Sequence, residues 1–362
     1  MKTYTYRPFC SKIPYCPVVI TKGKLHYEGE PEAEDPEDMG LSLVASSCDD
    51  GWGYIQNLDI FTKETFPMPN RLSLRYITMN DGRCYALETD LDQKRADELW
   101  QNQEQEHPNR AFSSYVIGTA PFGGVAIWLR GRDHSVLLHW LKSDEVPMNL
   151  IEKSRYGWTL EMEESEVISR EELDDNMKQY CYRYVALEEF WDNVNKRWVE
   201  YPDDNMYYDD LDIDSIEDHR TDGTFNYIKG DESQLEYHTT GKPVRITIRW
   251  HAGSAEYFAH IWLVSIFINQ IFNAFFSERH DTKVDIMLRL DPDNQAYQLA
   301  LRGNDNPQPF IIPWYAYQLI VFKNGEEHFT SPNYILEDGQ WSWLWRKKEK
   351  APETAQNGNG QQ

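Results

Sequence analysis

The sequence predicts an α+β protein with two related lobes, each an antiparallel β-sheet with a covering helix in the order β-β-α-β-β-β. An Arg-Gly motif ends two apolar strands half a chain apart, the stretches before it share a pattern, and an acidic, aromatic-rich stretch separates them. A repeat at this spacing decides the fold class before any local feature does. We therefore expect lobes at residues 1–160 and 236–346, an acidic helical or loop insert at 161–235 and a disordered tail at 347–362.

The repeat is visible when the segments before the two Arg-Gly motifs are aligned. "YVIGTAPFGGVAIWLRG", from Tyr115, aligns without a gap with "MLRLDPDNQAYQLALRG", from Met287. Upstream, "RLSLRY" aligns with "RITIRW" from Arg245, and "YALETDL" from Tyr85 aligns with "FAHIWLV" from Phe258. Few residues are identical, but apolar and turn residues coincide, as expected for a duplicated unit.

Each copy begins with a predicted hairpin followed by a helix. "LSLRYI" and "ITIRW" alternate apolar and polar residues, which is the period of a half-buried strand, and the turns at 80–82 and 252–254 lead into return strands. The first helix, from Asp92, is charged over most of its surface, so we expect a solvated cover. The second, from Ser265, is apolar nearly all round, which predicts a buried helix at an interface between the lobes.

Three strands complete each predicted unit. "YVIGT" and "GVAIWLRG" flank the tip "APFGG", and "SVLLHWLK" follows. Both faces of "VAIWL" carry apolar residues, so we expect both to be covered in part. The Arg-Gly motif is interpreted as a strand terminator, in which Gly131 and Gly303 allow a turn and the charged residue faces water.

The charge limits the choice of partner. The chain has 60 acidic and 36 basic residues and a net charge of -24, so its field repels phosphate backbones and anionic membranes and attracts a basic protein. We therefore predict no nucleic-acid partner and no membrane partner. Acidity also keeps a protein soluble and monomeric, and this interpretation stays open beside partner binding.

The predicted insert carries the best functional candidate. Between about residues 161 and 222, acidic residues alternate with aromatic ones, and Ser169 with Glu172 forms a capping box for a helix. Interfaces gain energy from Tyr and Trp anchors, while opposite charge steers the encounter. An aromatic core fringed by a solvated acidic loop is the alternative. The predicted partner-binding residues are Trp191, Trp198, Tyr201, Asp203, Asp204, Tyr207, Tyr208, Asp209, Asp210, Asp212 and Asp214.

No motif for catalysis or metal binding stands out in the sequence. It contains no nucleophile elbow, Walker loop or dinucleotide fingerprint, and its histidines are scattered. Asp210, Asp212 and Asp214 alternate as in a calcium loop, but Ser215 and Thr221 stand where that loop needs Gly and Glu. We predict no catalytic residue, no metal and no cofactor.

The N-terminus, the cysteines and one apolar stretch bear on location. The chain has five cysteines without a C-x-x-C pair, and its first residues lack the apolar core of a secretory signal, so we expect reduced thiols in the cytoplasm. Residues 257–276 contain no charged residue over about the length of a membrane span. Polar residues interrupt this stretch, and the repeat divides it into a strand and a helix, so we predict no span.

Several motifs resemble one bacterial family. They are "PYCPVVITKGKL" from Pro14, "GWG" at 51–53, "LRYITMNDGRCYALETDL" from Leu74 and "GTAPFGGVAIWLRG" from Gly118. In order and spacing they are similar to the family called domain of unknown function 2931, over about residues 9–145, with the C-terminal half as a degenerate copy. The resemblance implies lipoprotein relatives, but the missing signal departs from that pattern. It implies no catalytic residues.

These observations favour a non-catalytic acidic protein that binds a basic protein, such as an immunity protein that neutralises a bacterial toxin. Two alternatives stay open. One is a hydrolase with its site in the cleft between the lobes, and the other is a structural or scaffolding protein. The sequence does not fix the oligomeric state.

Overall fold

The structure is a computed structural model of the 362-residue chain. It describes residues 2–13, 16–30, 41–42, 44–50, 52–53, 65–106, 112–156, 168–188, 190–192, 197–199, 212–230, 236–279, 282–291, 296–305 and 308–331. Within these ranges the fold is α+β: strands account for most of the regular structure, and four α-helices accompany them.

The elements follow one another in two series. The first is β1 (Arg7–Lys12), β2 (Val18–His26), β3 (Leu41–Ser42), β4 (Val44–Asp50), β5 (Arg71–Thr78), β6 (Arg83–Asp90), α1 (Gln93–Glu106), β7 (Phe112–Thr119), β8 (Gly124–Gly131), β9 (Ser135–Lys142), β10 (Asp144–Val146) and α2 (Leu150–Tyr156). The second is α3 (Arg170–Asn176), β11 (Tyr180–Glu188), β12 (Phe190–Asp192), β13 (Arg197–Val199), β14 (Asp212–Arg220), β15 (Phe225–Lys229), β16 (His238–Thr240), β17 (Pro243–Ala252), β18 (Ala255–Leu263), α4 (Ser265–Arg279), β19 (Val284–Asp291), β20 (Ala296–Gly303), β21 (Phe310–Ile311), β22 (Tyr317–Lys323) and β23 (Glu326–Thr330).

The strands form two pairs of sheets. The N-terminal sheet pair consists of β4-β1-β7-β8-β9 and β10-β6-β5-β2-β3. The C-terminal sheet pair consists of β16-β11-β19-β20-β21 and β15-β14-β17-β18-β22-β23, and β12 with β13 makes a separate hairpin. The expectation of one antiparallel sheet per lobe is therefore wrong. Each pair has two sheets, and β1 with β7 and β11 with β19 are parallel, because the chain crosses between sheets through α1 or α4.

The two sheet pairs share their strand order. Eight strands of the N-terminal pair have a counterpart at the same place in the C-terminal pair: β1 corresponds to β11, β2 to β14, β5 to β17, β6 to β18, β7 to β19, β8 to β20, β9 to β21 and β10 to β22. One aromatic pair recurs as well: Tyr76 stacks on Tyr85 with ring centroids 5.4 Å apart, and Trp250 stacks on Tyr257 at 5.3 Å. All four rings are buried in their respective cores.

Cross-strand pairing corrects two of the sequence alignments by one residue. Tyr85 corresponds to Tyr257, not to Phe258, because each lies opposite the buried aromatic residue of the preceding strand. Likewise, Val116 pairs with Trp128 in the N-terminal sheet pair, and Met287 pairs with Ala300 in the C-terminal one. Because Trp128 and Ala300 are equivalent, Val116 corresponds to Met287, and Tyr115 corresponds to the residue before Met287. A shift of one residue moves a side chain to the opposite face of a strand. The shift is not visible in the sequence, because these strands carry apolar residues on both faces.

Each sheet pair has its own core with one helix. Ala96 and Trp100 of α1 pack in the N-terminal core, so this helix is more than a solvated cover. Ile268, Phe272 and Phe275 of α4 pack in the C-terminal core, whose described buried members all lie between residues 182 and 321. The helix α4 is buried as predicted, but within its own sheet pair and not between the two pairs.

Part of the range 161–235 is integral to the sheets. Strand β11 pairs with β19, and β14 pairs with β15 and β17, so these parts of the range are strands and not the helix or loop that we expected. The capping residue of α3 is Ser169, whose hydroxyl accepts the Glu172 N–H at 3.1 Å, as the sequence predicts.

The charge-free stretch 257–276 divides between β18 and α4, as predicted. Within the described ranges, no helix combines the length and the apolar character needed to cross a membrane. The four cysteines whose side chains are described, Cys10, Cys16, Cys84 and Cys181, are free thiols.

Candidate functional site

The structure describes only part of the predicted partner-binding surface. Trp191 in β12 lies opposite Trp198 in β13. Asp212 begins β14, and Asp214 follows it with an exposed side chain. The other predicted residues, Tyr201, Asp203, Asp204, Tyr207, Tyr208, Asp209 and Asp210, lie outside the described residues.

The chain enters β14 and leaves β15 at the same end of the six-stranded sheet, and the sequences of both connections lack Lys and Arg. Residues 200–211 contain five acidic residues and lead into β14, and residues 231–235 contain two and follow β15. Ser215 of β14 lies opposite Lys229 of β15, and the backbone N–H of Gly230 donates to the Asp214 carbonyl at 2.7 Å. The two connections therefore attach side by side. We call this place, with Asp214, the acidic end.

One described ion pair marks the acidic end. The Asp214 carboxylate lies 2.6 Å from Nδ1 of His251, which is near the end of β17, and both side chains are more than a third exposed. An exposed ion pair stabilises a fold by less than about 1 kcal/mol. The carboxylate is therefore held in place but stays accessible to a partner.

A second candidate lies where the two sheet pairs meet. Trp128 of β8 is fully buried on the face opposite the N-terminal core, and the Trp52 ring meets it edge to face at 5.0 Å. Gly118 of β7 lies against both rings, since a β-carbon there would be 2.5 Å from Trp128 and 2.8 Å from Trp52. Only glycine fits, so the motifs "GWG" and "GTAPFGG" contribute to one cleft.

Arg130 completes this cleft, and the prediction that it faces water is wrong. Its side chain is buried, its Nη1 donates to the Gly53 carbonyl at 2.9 Å, and its guanidinium lies 4.2 Å from the ring centroid of Phe225. A desolvated cation over an aromatic ring contributes about 2 kcal/mol. We call Trp52, Gly53, Trp128 and Arg130 the junction cleft.

The junction cleft holds residues 221–225, which are the turn between β14 and β15 together with the first residue of β15. The Trp128 indole N–H donates to the Asp222 carbonyl at 3.0 Å. The approach is close at Gly223, whose φ is +79° and where a β-carbon would be 2.7 Å from the Trp52 carbonyl oxygen. An L-residue avoids this left-handed conformation, so glycine is required for both conformation and space.

The turn is built by its own side chains. The buried Asp222 carboxylate accepts the Thr224 N–H at 3.0 Å, the Thr224 hydroxyl at 2.6 Å and the Gly241 N–H at 2.9 Å. Thr221 donates its hydroxyl to the Asn176 carbonyl at 2.7 Å. These bonds hold the turn in the conformation that contacts the cleft.

A buried lysine supports the turn from behind. Lys242 donates from Nζ to the Asp175 carbonyl at the C-terminal end of α3, where a cation is favourable, and its own carbonyl accepts the Thr221 N–H at 2.8 Å. Burial lowers the pKa of Lys242 to about 8, although Asp175 opposes this shift.

Strand edges extend the contact beyond the turn. The Phe225 N–H donates to the Ser135 hydroxyl at 3.0 Å, and the Tyr227 N–H donates to the Asp133 carbonyl at 2.7 Å. The edge strand β15 of one sheet pair therefore lies along the start of β9 of the other. Sequence inspection missed this junction. The prediction that both faces of "VAIWL" are covered was the signal that could have found it.

Two cavities in the described part of the chain are too small for a typical ligand. One of the two best formed, beside Tyr184, Arg220 and His238, has a volume of about 10 Å³, which is room for one water molecule. The other is open, measures about 190 Å³ and is lined by Lys2, Met68, Gln93, Lys94 and Asp97. Pockets for small ligands usually measure about 300 to 1,000 Å³, so neither cavity favours the hydrolase alternative.

Among the described residues, no cluster of three His, Cys, Asp or Glu side chains is arranged to hold a metal.

Comparison with known proteins gives one match. The model of a family described as protein of unknown function (DUF2931) matches residues 11–197, which is just over half of the chain. No curated protein and no solved structure matches the chain. The matched range contains every residue of the junction cleft and ends before the turn that the cleft holds.

Proposed function

The chain belongs to the DUF2931 family, and we propose that it is a non-catalytic binding protein whose acidic end receives a basic protein. The observation that carries this proposal is that the chain enters β14 and leaves β15 at one end of a sheet, and that the sequence of these connections, residues 200–211 and 231–235, contains seven acidic residues and no Lys or Arg. Neutralising a basic toxin, as immunity proteins do, is the form of binding that this surface suits best.

Electrostatics and aromatic anchors support the proposal. A cluster of carboxylates raises the rate at which a cationic partner arrives and rejects anionic ones. The hairpin β12–β13 precedes residues 200–211 directly and places Trp191 opposite Trp198. Trp is among the residues that contribute most to binding energy at interfaces, so the hairpin would add affinity to the steering effect of the carboxylates.

The two sheet pairs bear on the origin of the protein and on the place of the binding surface. We infer that the two sheet pairs are two lobes that arose by duplication, which the shared strand order and the recurring aromatic pair support. Binding then belongs to the C-terminal lobe, whose connections carry the acidic end. We further propose that the protein acts in the cytoplasm, where an immunity protein meets a toxin that has entered or been made there.

The test compares two variants of equal charge. The first replaces Asp203, Asp204, Asp209 and Asp210 by Asn. The second replaces Glu32, Glu34 and Glu37 by Gln and Asp35 by Asn, in residues 31–40, which connect β2 to β3 and also lack Lys and Arg. Binding of the basic protein encoded beside the gene is measured by calorimetry and stopped flow at low and high salt.

The proposal expects different results from the two variants. The first variant should lose at least about tenfold in association rate at low salt, with the loss shrinking at high salt because salt screens exposed charges. The second should behave like the unchanged chain. Equal losses in both would show that only the net charge matters, and a neighbouring basic protein that does not bind at low salt would refute the proposal.

A further inference from the structure

The junction cleft has the properties of a binding site for a separate turn. All of its residues lie in the range matched by the family model, whereas the turn that it holds, residues 221–225, lies outside that range. The cleft therefore belongs to the part of the chain that matches the family model, and its occupant belongs to the remainder. This observation is independent of the acidic end.

The contacts specify what the cleft accepts. A carbonyl must face the Trp128 indole, the next residue must be glycine in the left-handed conformation, and an aromatic ring must lie under Arg130. Asp222 and Thr224 meet these needs by locking the turn internally, which reduces the entropy lost on binding. An Asp-Gly-Thr-aromatic turn at the tip of a hairpin has this chemistry.

One donor in the cleft is left over. Within the described part of the chain, the Trp52 indole N–H is buried and has no hydrogen-bond acceptor. A buried donor without an acceptor is unfavourable, so the chain's own turn leaves one hydrogen-bond donor of the cleft unsatisfied. An occupant with one more carbonyl or hydroxyl at this point would satisfy it.

We propose that the junction cleft is a turn-recognition site, occupied here by the chain's own Thr221–Phe225, and that a partner protein presenting an Asp-Gly-Thr-aromatic turn displaces this segment. This goes beyond the proposed function, because it names a second surface and a partner of different chemistry. The tethered turn has an effective concentration of the order of millimolar, so a free turn competes poorly until the tethered one is weakened.

The test weakens the tethered turn and supplies a free one. Gly223→Ala introduces a β-carbon against Trp52 and Trp128 but leaves every cleft residue intact. The probe is a cyclic peptide with the sequence of residues 219–227, HRTDGTFNY, and the control peptide has Ala in place of Gly. Binding to the full chain is followed by calorimetry and by the NMR signal of the Trp128 indole N–H, which is assigned with Trp128→Phe.

The Gly peptide should bind the Gly223→Ala chain at least about tenfold more tightly than the unchanged chain, because the tethered competitor is weakened. The Ala peptide should bind neither. A folded Gly223→Ala chain that ignores the Gly peptide at about 1 mM, or that binds both peptides equally, overturns the proposal. If this variant does not fold, Phe225→Ala replaces it with the same expectations. If neither variant folds, the Gly peptide is added to the native chain at several mM, which is of the order of the effective concentration of the tethered turn. A shift of the Trp128 indole signal then supports the proposal, and an unchanged signal overturns it.

Discussion

Strands β8 and β20 hold the same place in the two sheet pairs and end in the same Arg-Gly motif, yet only their core-facing sides are alike. Ile127 and Leu129 face the N-terminal core as Leu299 and Leu301 face the C-terminal core. On the opposite face, the buried Trp128 corresponds to Ala300. One face of each strand is set by the core of its own sheet pair, whereas the other depends on what covers it.

The arginines of the motif show the same divergence. Arg130 is buried in the junction cleft, where it contacts Gly53 and Phe225. Arg302 is partly exposed and instead donates to Asp285 at 2.7 Å, a carboxylate that also accepts from Arg183 at 2.7 Å. A motif that ends a strand in both places thus supports a contact between sheet pairs in one and an ion-pair network within a sheet in the other.

The largest expected effect comes from removing the tryptophan that distinguishes the two strands. Trp128→Ala gives β8 the residue that β20 has, and it should lower the free energy of unfolding by about 3 to 5 kcal/mol, because a buried ring and its bond to Asp222 are lost. Guanidinium unfolding measures this. Trp262→Ala, at a partly exposed ring of β18, is the control and should cost about half as much or less. Equal costs would contradict a special role for the junction.

A smaller difference should separate the two arginines. Arg130→Met leaves the Gly53 carbonyl without its charged donor and should cost about 2 to 3 kcal/mol in unfolding free energy. Arg302→Met should cost about 1 kcal/mol, since Asp285 keeps its bonds to Arg183 and Tyr237. Urea unfolding of both variants at low and high salt gives the comparison. A larger loss for Arg302→Met would reverse our ranking of the two contacts.

A pH-dependent difference should separate a second pair of equivalent arginines, Arg75 in β5 and Arg249 in β17. Arg75 binds the buried Glu152 through two bonds of 2.7 Å, which hold the Glu152 pKa at about 2, below its ordinary value of 4.5. Because the folded pKa is depressed, this stabilisation is complete above pH 4.5 and disappears as the pH falls toward 2. Arg249 instead lies 3.7 Å from the exposed Glu256.

Unfolding measured between pH 6 and 2 should therefore show a shallower acid dependence for Glu152→Gln than for the unchanged chain. Glu256→Gln should change stability by less than about 0.5 kcal/mol at any pH, because both members of its ion pair with Arg249 are exposed. If the Glu152→Gln variant keeps a steep acid dependence, the loss of stability at low pH comes from other carboxylates.

The sequence predicted the elements that have strong local signals. The hairpins β5–β6 and β17–β18, the helices α1 and α4 and the strands β7 to β9 all follow from alternation, turn residues and helix-forming content. Strand β14 was missed because its sequence, DIDSIEDHR, is acidic, and a bulge after Ile213 breaks the alternation. The parallel partners β1 and β11 were missed because parallel pairing joins strands that are far apart in the chain.

The candidate sites divide in the same way. Composition and spacing were enough to identify an acidic, aromatic stretch, but the pairing of β14 with β15 was needed to show that the two acidic connections join the sheet at the same end. The sequence indicated only that both faces of "VAIWL" are covered, and it did not identify what covers them, because Trp52, Arg130 and Phe225 come from three distant segments.

By itself, the sequence determined the α+β class, the recurrence of one strand pattern and the net negative charge, since each depends on residue type or local spacing. Only the tertiary structure decided the register, the division into four large sheets and the environment of Arg130. Burial depends on what packs against a side chain, and for Arg130 that neighbour is Phe225, in the other sheet pair.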